Sequence, residues 1–231
     1  SIYMKKLAII AASLMLSAQA YAGSFGVGAT IGSVNVEADG KEVTDAGTVT
    51  GGAANTTKHS ASNNAAVASF YAEYVSDYLN GLTIGYELTP GTADVSDKVN
   101  SRTETAQGAS GTNASGSVTY KAQAEIENIQ SIYLELPIGP NGFFLKGGYT
   151  TFDLNTLEVT PTNSGAYKNA TGIDGMTGGF GMKHVMDNGM VLKGVLEYTD
   201  YDTITLKSAT VNTITADLDT TSAKFSLGYQ F

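Results

Sequence analysis

The chain has no cysteine and no tryptophan, and only four prolines in 231 residues. The missing cysteines exclude disulfide frameworks, thiolate-ligated zinc, iron–sulfur clusters and thiol catalysis. Charged side chains make up 15% of the chain, well under the roughly 25% of ordinary soluble domains. Basic residues are scarce as well: 13 Lys and Arg stand against 22 Asp and Glu, a formal charge of −9. No basic face is available for nucleic acid. No apolar run reaches the 18 or more residues that a spanning helix needs. What is abundant is glycine, at 27 residues, with Ser, Thr, Ala and Asn. Gly and β-branched Thr are poor helix formers, which leaves an all-β chain as the expectation.

The start of the chain reads as an export signal. Met4-Lys5-Lys6 precedes the apolar run Leu7 to Leu16 and then Ala20-Tyr21-Ala22. A positive n-region, a short apolar h-region and a small-x-small cleavage site define a secretory signal peptide over 1–22. Ser1-Ile2-Tyr3 read as a gene-calling scar ahead of the initiator. Residues 23–231 are then expected to form one domain.

That domain is written in two-residue alternation, the period of a strand with one apolar face. Phe25, Val27, Ala29 and Ile31 oppose Gly26, Gly28, Thr30 and Gly32 in the first strand, Ser24 to about Val36. Ala66, Ala68, Phe70, Ala72 and Tyr74 oppose Ser69, Tyr71 and Glu73. Asn80-Gly81, a type I′ turn signal, leads to Leu82, Ile84, Tyr86 and Leu88, opposed by Thr83, Gly85 and Glu87. Ile126, Ile132, Leu134 and Leu136 form the next apolar face, with Ser131, Tyr133 and Glu135 opposite. A turn over Pro137 to Gly142 precedes Phe143, Leu145, Gly147 and Tyr149. A third hairpin turns at Asp187-Asn188-Gly189. The last strand carries Ala223, Phe225, Leu227, Tyr229 and Phe231 on one face. Between the hairpins lie four polar tracts near 37–65, 91–123, 153–175 and 200–220, read as long loops, with a small hairpin at Asp39-Gly40.

Short turns at one end and long tracts at the other are the pattern of an outer-membrane barrel. The fold class expected is an all-β, antiparallel, up-and-down transmembrane β-barrel of eight strands, with long extracellular loops and short periplasmic turns. The face opposite the apolar one carries Glu73, Glu87, Glu135 and Glu197 together with Lys146, Lys183, Lys193 and Lys224. An eight-stranded barrel is just wide enough for its side chains, so these eight charges are expected to form an ion-pair network that plugs the lumen. Loss of Lys146 and Glu135 together is expected to loosen it. Small inward residues, as in Gly85-Tyr86, Gly148-Tyr149 and Gly228-Tyr229, leave space for that network. An aromatic girdle is expected from Tyr78 and Phe143 at the periplasmic rim and from Tyr86, Tyr149 and Tyr198 at the outer one. Asp200, Asp202, Asp217 and Asp219, all outward by parity, form a weak candidate for divalent cations shared with lipopolysaccharide phosphates.

The C-terminal Phe225-Ser226-Leu227-Gly228-Tyr229-Gln230-Phe231 resembles the terminal signal of outer-membrane proteins. Gly194 to Asp202 (GVLEYTDYD) and Lys146 to Phe152 (KGGYTTF) resemble strands of small barrels such as the OmpA N-terminal domain, OmpX and the Opa/NspA group. The resemblance implies residence in the bacterial outer membrane among lipid and lipopolysaccharide. It also implies recognition by the barrel assembly machinery, through Phe225, Leu227, Tyr229 and Phe231, and passage through periplasmic chaperones. No cofactor, nucleic acid or surface ligand is implied.

Enzymatic chemistry finds little support. A lipid A esterase needs a Ser–His pair with an orienting acid, but of the two histidines His59 sits in a low-complexity tract and His184 falls on the lipid face. The Gly26 to Gly32 run has the wrong spacing for a dinucleotide motif and no helix after it. The expectation is a non-enzymatic barrel with a structural or adhesin-like role, the alternative being a narrow porin-like channel.

Overall fold

The computed structural model describes residues 23–44, 55–77, 80–95, 100–105, 117–157, 167–207 and 213–231. The proposed signal segment and Tyr78 lie outside the described residues. The strands are β1 (Gly23–Thr44), β2 (Asn55–Ser76), β3 (Thr83–Asp94), β4 (Asn100–Thr105), β5 (Ser117–Ala122), β6 (Ala124–Ile138), β7 (Phe143–Thr156), β8 (Ala170–Val185), β9 (Met190–Tyr201), β10 (Ile204–Lys207) and β11 (Thr213–Gln230). Antiparallel pairing runs β1-β2-β3-β6-β7-β8-β9-β11, and β11 pairs back onto β1. Eight strands therefore close into a barrel. β10 lies beside the upper part of β11, and among the described residues β4 and β5 pair only with each other.

Closure leaves no edge in the lower wall, which is what a strand structure in lipid requires. The seam is sealed at its end by Phe25 and Phe231: each backbone N–H donates to the other's carbonyl, at 3.0 and 2.8 Å. The outer face of the lower barrel is apolar. Ile31, Phe70, Met176, Phe180 and Phe225 are each more than half exposed, a continuous display that a water-soluble monomer would not carry.

The short turns have the backbone their residues suggest. Asn80 and Gly81 both take positive φ, 51° and 83°, although they end a longer turn closed by Ser76 N–H to the Leu82 carbonyl at 2.9 Å. Gly189, at φ 86°, closes the Asp187 turn, where Met186 and Met190 pair.

The polar tracts differ from the expectation. β1 and β2 each have 22 residues, whereas a strand crosses a bilayer in about 9–11. Asp39 and Gly40 form no hairpin: they pair with Ser60 and His59 of β2 on one side and with Asp217 and Ala216 of β11 on the other. The alternation simply continues, with Val36 buried and Glu37, Asp39 and Lys41 exposed, and a two-sided ladder outweighs a local turn preference. His59 is likewise a strand residue. The tracts at 153–175 and 200–220 contain the upper ends of β7, β8, β9 and β11 and the short β10.

Ile126 is also not on the lipid face. The β6–β7 register slips between Glu127 and Gln130, with Asn128 at φ 54°. A bulge inserts one residue and reverses the facing of everything beyond it, so Ile126 points inward and is 4% exposed. A second irregularity, at Pro90 and Gly91 of β3, sits above a short β2–β3 ladder that runs only from Val75↔Thr83 to Phe70↔Leu88. Higher up, the Asn63 side-chain amide donates to the Asp94 carbonyl at 2.8 Å.

The extended strands enclose an apolar layer in the outer half: Val36, Val95, Ile126, Phe152, Leu154, Ile173, Ile204 and Leu218. Phe152 meets Tyr201 edge-on at 4.8 Å between ring centroids. Burial of each such side chain contributes roughly 1.5–3 kcal/mol.

If β1 is one continuous strand between β2 and β11, hydrogen–deuterium exchange of the lipid-reconstituted protein will show the amides of residues 37–43 protected alongside those of the barrel wall. Fast exchange at Asp39 and Gly40 would restore the hairpin reading.

Candidate functional site in the barrel lumen

Strand alternation brings all eight predicted charges to the lumen, two on β9 and one each on β2, β3, β6, β7, β8 and β11. They do not form one network. Glu73 and Glu135 are shared by Lys183 and Lys193; Glu87 and Glu197 are shared by Lys146 and Lys224. Each set is a closed ring of two carboxylates and two ammonium groups, with zero net charge, and no ion pair joins the two sets among the described residues.

In the ring nearer the short turns, Lys193 Nζ lies 2.6 Å from Glu73 Oε2 and 2.8 Å from Glu135 Oε1. Lys183 is held more loosely, at 3.5 and 3.7 Å from the other oxygens of the same carboxylates. In the second ring Lys224 sits 3.0 Å from Glu87 and 2.9 Å from Glu197, and Lys146 pairs closely with Glu197 and at 3.5 Å with Glu87. Glu135 and Lys146, direct neighbours in the β6–β7 register, belong to different rings. Their joint loss would therefore open both rings, not one pair.

The rings are separated by tyrosine. Tyr133 donates its hydroxyl to Glu73 Oε2 at 3.2 Å, while Lys146 Nζ stands 4.0 Å from the centre of its ring. Lys193 Nζ is 4.8 Å from the Tyr71 ring. Cations over aromatic faces gain more when desolvated, so one tyrosine serves a carboxylate below and an ammonium above. The inward glycines make room both for charges, Gly26 facing Glu73 and Gly32 facing Lys224, and for these aromatic rings. A Cβ on Gly85 would overlap Tyr133, and one on Gly28 or Gly228 would overlap Tyr71.

Hydroxyls complete the second ring's surroundings. Ser69 donates to Glu87 Oε1 at 2.6 Å. Ser131, Thr150, Thr177 and Thr199 form a ladder across β6, β7, β8 and β9, each step 2.8 Å. Sequence reasoning passed over Tyr71, Tyr133 and this ladder; the available signal was that all of them occupy inward positions of neighbouring strands.

The remaining candidates are dispersed. Phe143 and Tyr198 are exposed on the lipid side, Tyr86 is half-buried and donates to Gln130 at 2.9 Å, and Tyr149 bonds Asp174. Phe225, Leu227 and Tyr229 share the outer face of β11, Phe231 follows its last residue, and all four are about half exposed or more. Asp200, Asp219 and Glu37 oppose one another across β9, β11 and β1, with Asp217 opposite Asp39. Asp217 accepts from Thr203 at 2.7 Å. Among the described residues no three His, Cys, Asp or Glu side chains converge as a metal site. His59 lies opposite Gly40 and His184 opposite Leu192, both exposed.

No protein-family model and no curated protein matches the sequence. Solved structures with a similar fold include the outer-membrane protein OprG of Pseudomonas aeruginosa, 13% identical over 91% of this chain and 97% of that one, with a TM-score of 0.49. The outer-membrane protein AlkL is 17% identical over 91% of each chain, TM-score 0.45. The outer-membrane protease OmpT of Escherichia coli is 8% identical over 90% and 97%, TM-score 0.43. At such distances the architecture rests on this chain's own closed ladder.

Two separate rings predict separable energetics. Removing one partner of a buried ion pair costs about 3–5 kcal/mol. In denaturant unfolding of the reconstituted protein, Glu73→Gln and Glu87→Gln should add to within about 0.5 kcal/mol, as independent sites do. Glu73→Gln with Glu135→Gln should deviate from additivity by more, because both share Lys183 and Lys193. Strong coupling between Glu73 and Glu87 would mean a single network.

Proposed function

We propose that the protein is a non-enzymatic barrel of the bacterial outer membrane, exported by a cleaved signal peptide, with a structural or surface-interaction role. The observation that carries this reading is the filled lumen: two neutral ion-pair rings with Tyr71 and Tyr133 between them, followed by the apolar layer around Phe152. A hydrated solute would have to strip its water and part both rings to cross, and the low-dielectric interior makes either step costly. The apolar exterior supports embedding among lipid and lipopolysaccharide. The tall β2-β1-β11-β10 sheet, with its exposed Glu37, Asp39, Lys41, Lys58 and Asp217, supports presentation of a polar surface beyond the membrane, as an adhesin-like role requires. A narrow porin-like channel is the competing reading, and it requires both rings to open.

Single-channel recording of the refolded protein in planar bilayers separates the two. The expected result is an absence of stable, ohmic openings; discrete openings with defined ion selectivity would establish the channel instead.

The apolar rim of β11 supports docking on the barrel assembly machinery during biogenesis. Because Phe231 also makes the last two hydrogen bonds of the closing seam, its deletion should lower the amount of barrel in the outer membrane several-fold, measured by fractionation and heat-modifiable migration. Wild-type amounts would remove Phe231 from both roles.

A further inference from the structure

The outer mouth of the barrel is crossed by a side chain. β1 and β7 stand four strands apart whichever way the closed ring is followed, so they face each other across the lumen. Their inward positions rise from the apolar layer in step. Val36 and Ala38 lead up to Glu42 on β1, and Phe152 and Leu154 lead up to Thr156 on β7. Residues 167–169, which run into Ala170 at the start of β8, join the two tops. On the β7 side they are anchored twice: the Thr156 hydroxyl donates to the Tyr167 carbonyl at 2.7 Å, and the Thr156 backbone N–H donates to Asn169 Oδ1 at 2.9 Å. On the β1 side the Tyr167 hydroxyl donates to Glu42 Oε1 at 3.0 Å. The line from Thr156 through Tyr167 to Glu42 therefore spans the lumen above the apolar layer.

The two anchorages differ in kind. The β7 side is local, closing 11 and 13 residues of chain and held by backbone groups. The β1 side joins residues 125 apart and is made by side-chain ends. A phenol on a carboxylate is a charge-assisted hydrogen bond and firm while it lasts. This one is only part-buried, so water takes over both groups when they separate, and no strand pairing is lost. We propose that residues 167–169 form a strap, latched by Tyr167 on Glu42, that shuts the outer mouth over the apolar layer and opens the layer to solvent when the latch parts. This goes beyond the proposed surface role. It sets access from the side of the layer opposite the ion-pair rings.

A chain without cysteine allows a clean test. Val36→Cys puts one thiol into the layer at a position 3% exposed, where cysteine packs as a small apolar side chain. The full barrel in lipid nanodiscs is treated with a charged, water-soluble methanethiosulfonate, and the rate of modification is followed by mass. Cutting the latch with Tyr167→Phe or Glu42→Ala should raise that rate about tenfold, the change in open population when a hydrogen bond to a charged group is lost. Glu42→Gln still offers the phenol an acceptor and should keep the slow rate. Tyr149→Phe cuts a different tyrosine–carboxylate bond, to Asp174, and should also stay slow. Heat-modifiable migration establishes that each variant is folded. The proposal is overturned if either latch variant, once folded, reacts at the parent rate, or if Glu42→Gln reacts as fast as Glu42→Ala. Equal acceleration by Tyr149→Phe, the result for a barrel that has merely loosened, overturns it as well.

Discussion

Charge burial in a tube too narrow to hydrate it is the constraint from which the rest of this structure follows. An isolated carboxylate or ammonium in the interior of a protein costs several kcal/mol even after relaxation, and eight such groups enter this lumen. The arrangement that removes the cost is closure into neutral units, each carboxylate touching two ammonium groups and each ammonium two carboxylates. The tyrosines that divide the units are tolerated because Gly28, Gly85 and Gly228 leave their side-chain volume empty. The sequence pays for its charged interior with glycine.

The same bookkeeping explains the exterior. Four Glu and four Lys cancel inside, so the ion-pair rings contribute nothing to the formal −9 of the chain. Much of it sits on the upper sheet, where Glu37, Asp39, Asp200, Asp217 and Asp219 stand in opposed rows. Like charges directly opposite destabilise a sheet, and here the apolar layer on the inner side of the same strands offsets them: Val36 and Leu218 lie on the other face of β1 and β11. With no cysteine to staple it, the fold is held by the closed ladder, by that apolar layer and by the ion-pair rings.

The barrel itself was legible from the alternation of Phe25 to Ile31 and Ala66 to Tyr74, from the Asn80-Gly81 and Asp187-Asn188-Gly189 turns, and from charges placed at alternate positions of strands otherwise apolar. The division of those charges was not legible. Register puts Glu135 beside Lys146, but long side chains reach across a narrow lumen, and which chain ends meet there depends on strand tilt and on Tyr133 standing between them. The tall strands were missed because Thr, Ser and Asn at outward positions look like loop composition while Val36, Ala38, Leu218 and Ala216 quietly keep the two-residue period. Ile126 was misplaced because no residue pattern marks the bulge at Asn128 except the two polar positions, Asn128 and Gln130, that interrupt its apolar face.

The central claim is that the lumen is closed more than once along its length, so that loss of one ring leaves it shut. It is tested most directly by removing one ring whole, with Glu87→Gln, Glu197→Gln, Lys146→Met and Lys224→Met combined so that no unpaired charge remains. The conductance of this variant in planar bilayers is then recorded. The account predicts a folded barrel that stays closed, because the ring of Glu73, Glu135, Lys183 and Lys193 and the apolar layer around Phe152 are untouched. A steady ohmic current through the folded variant would contradict it.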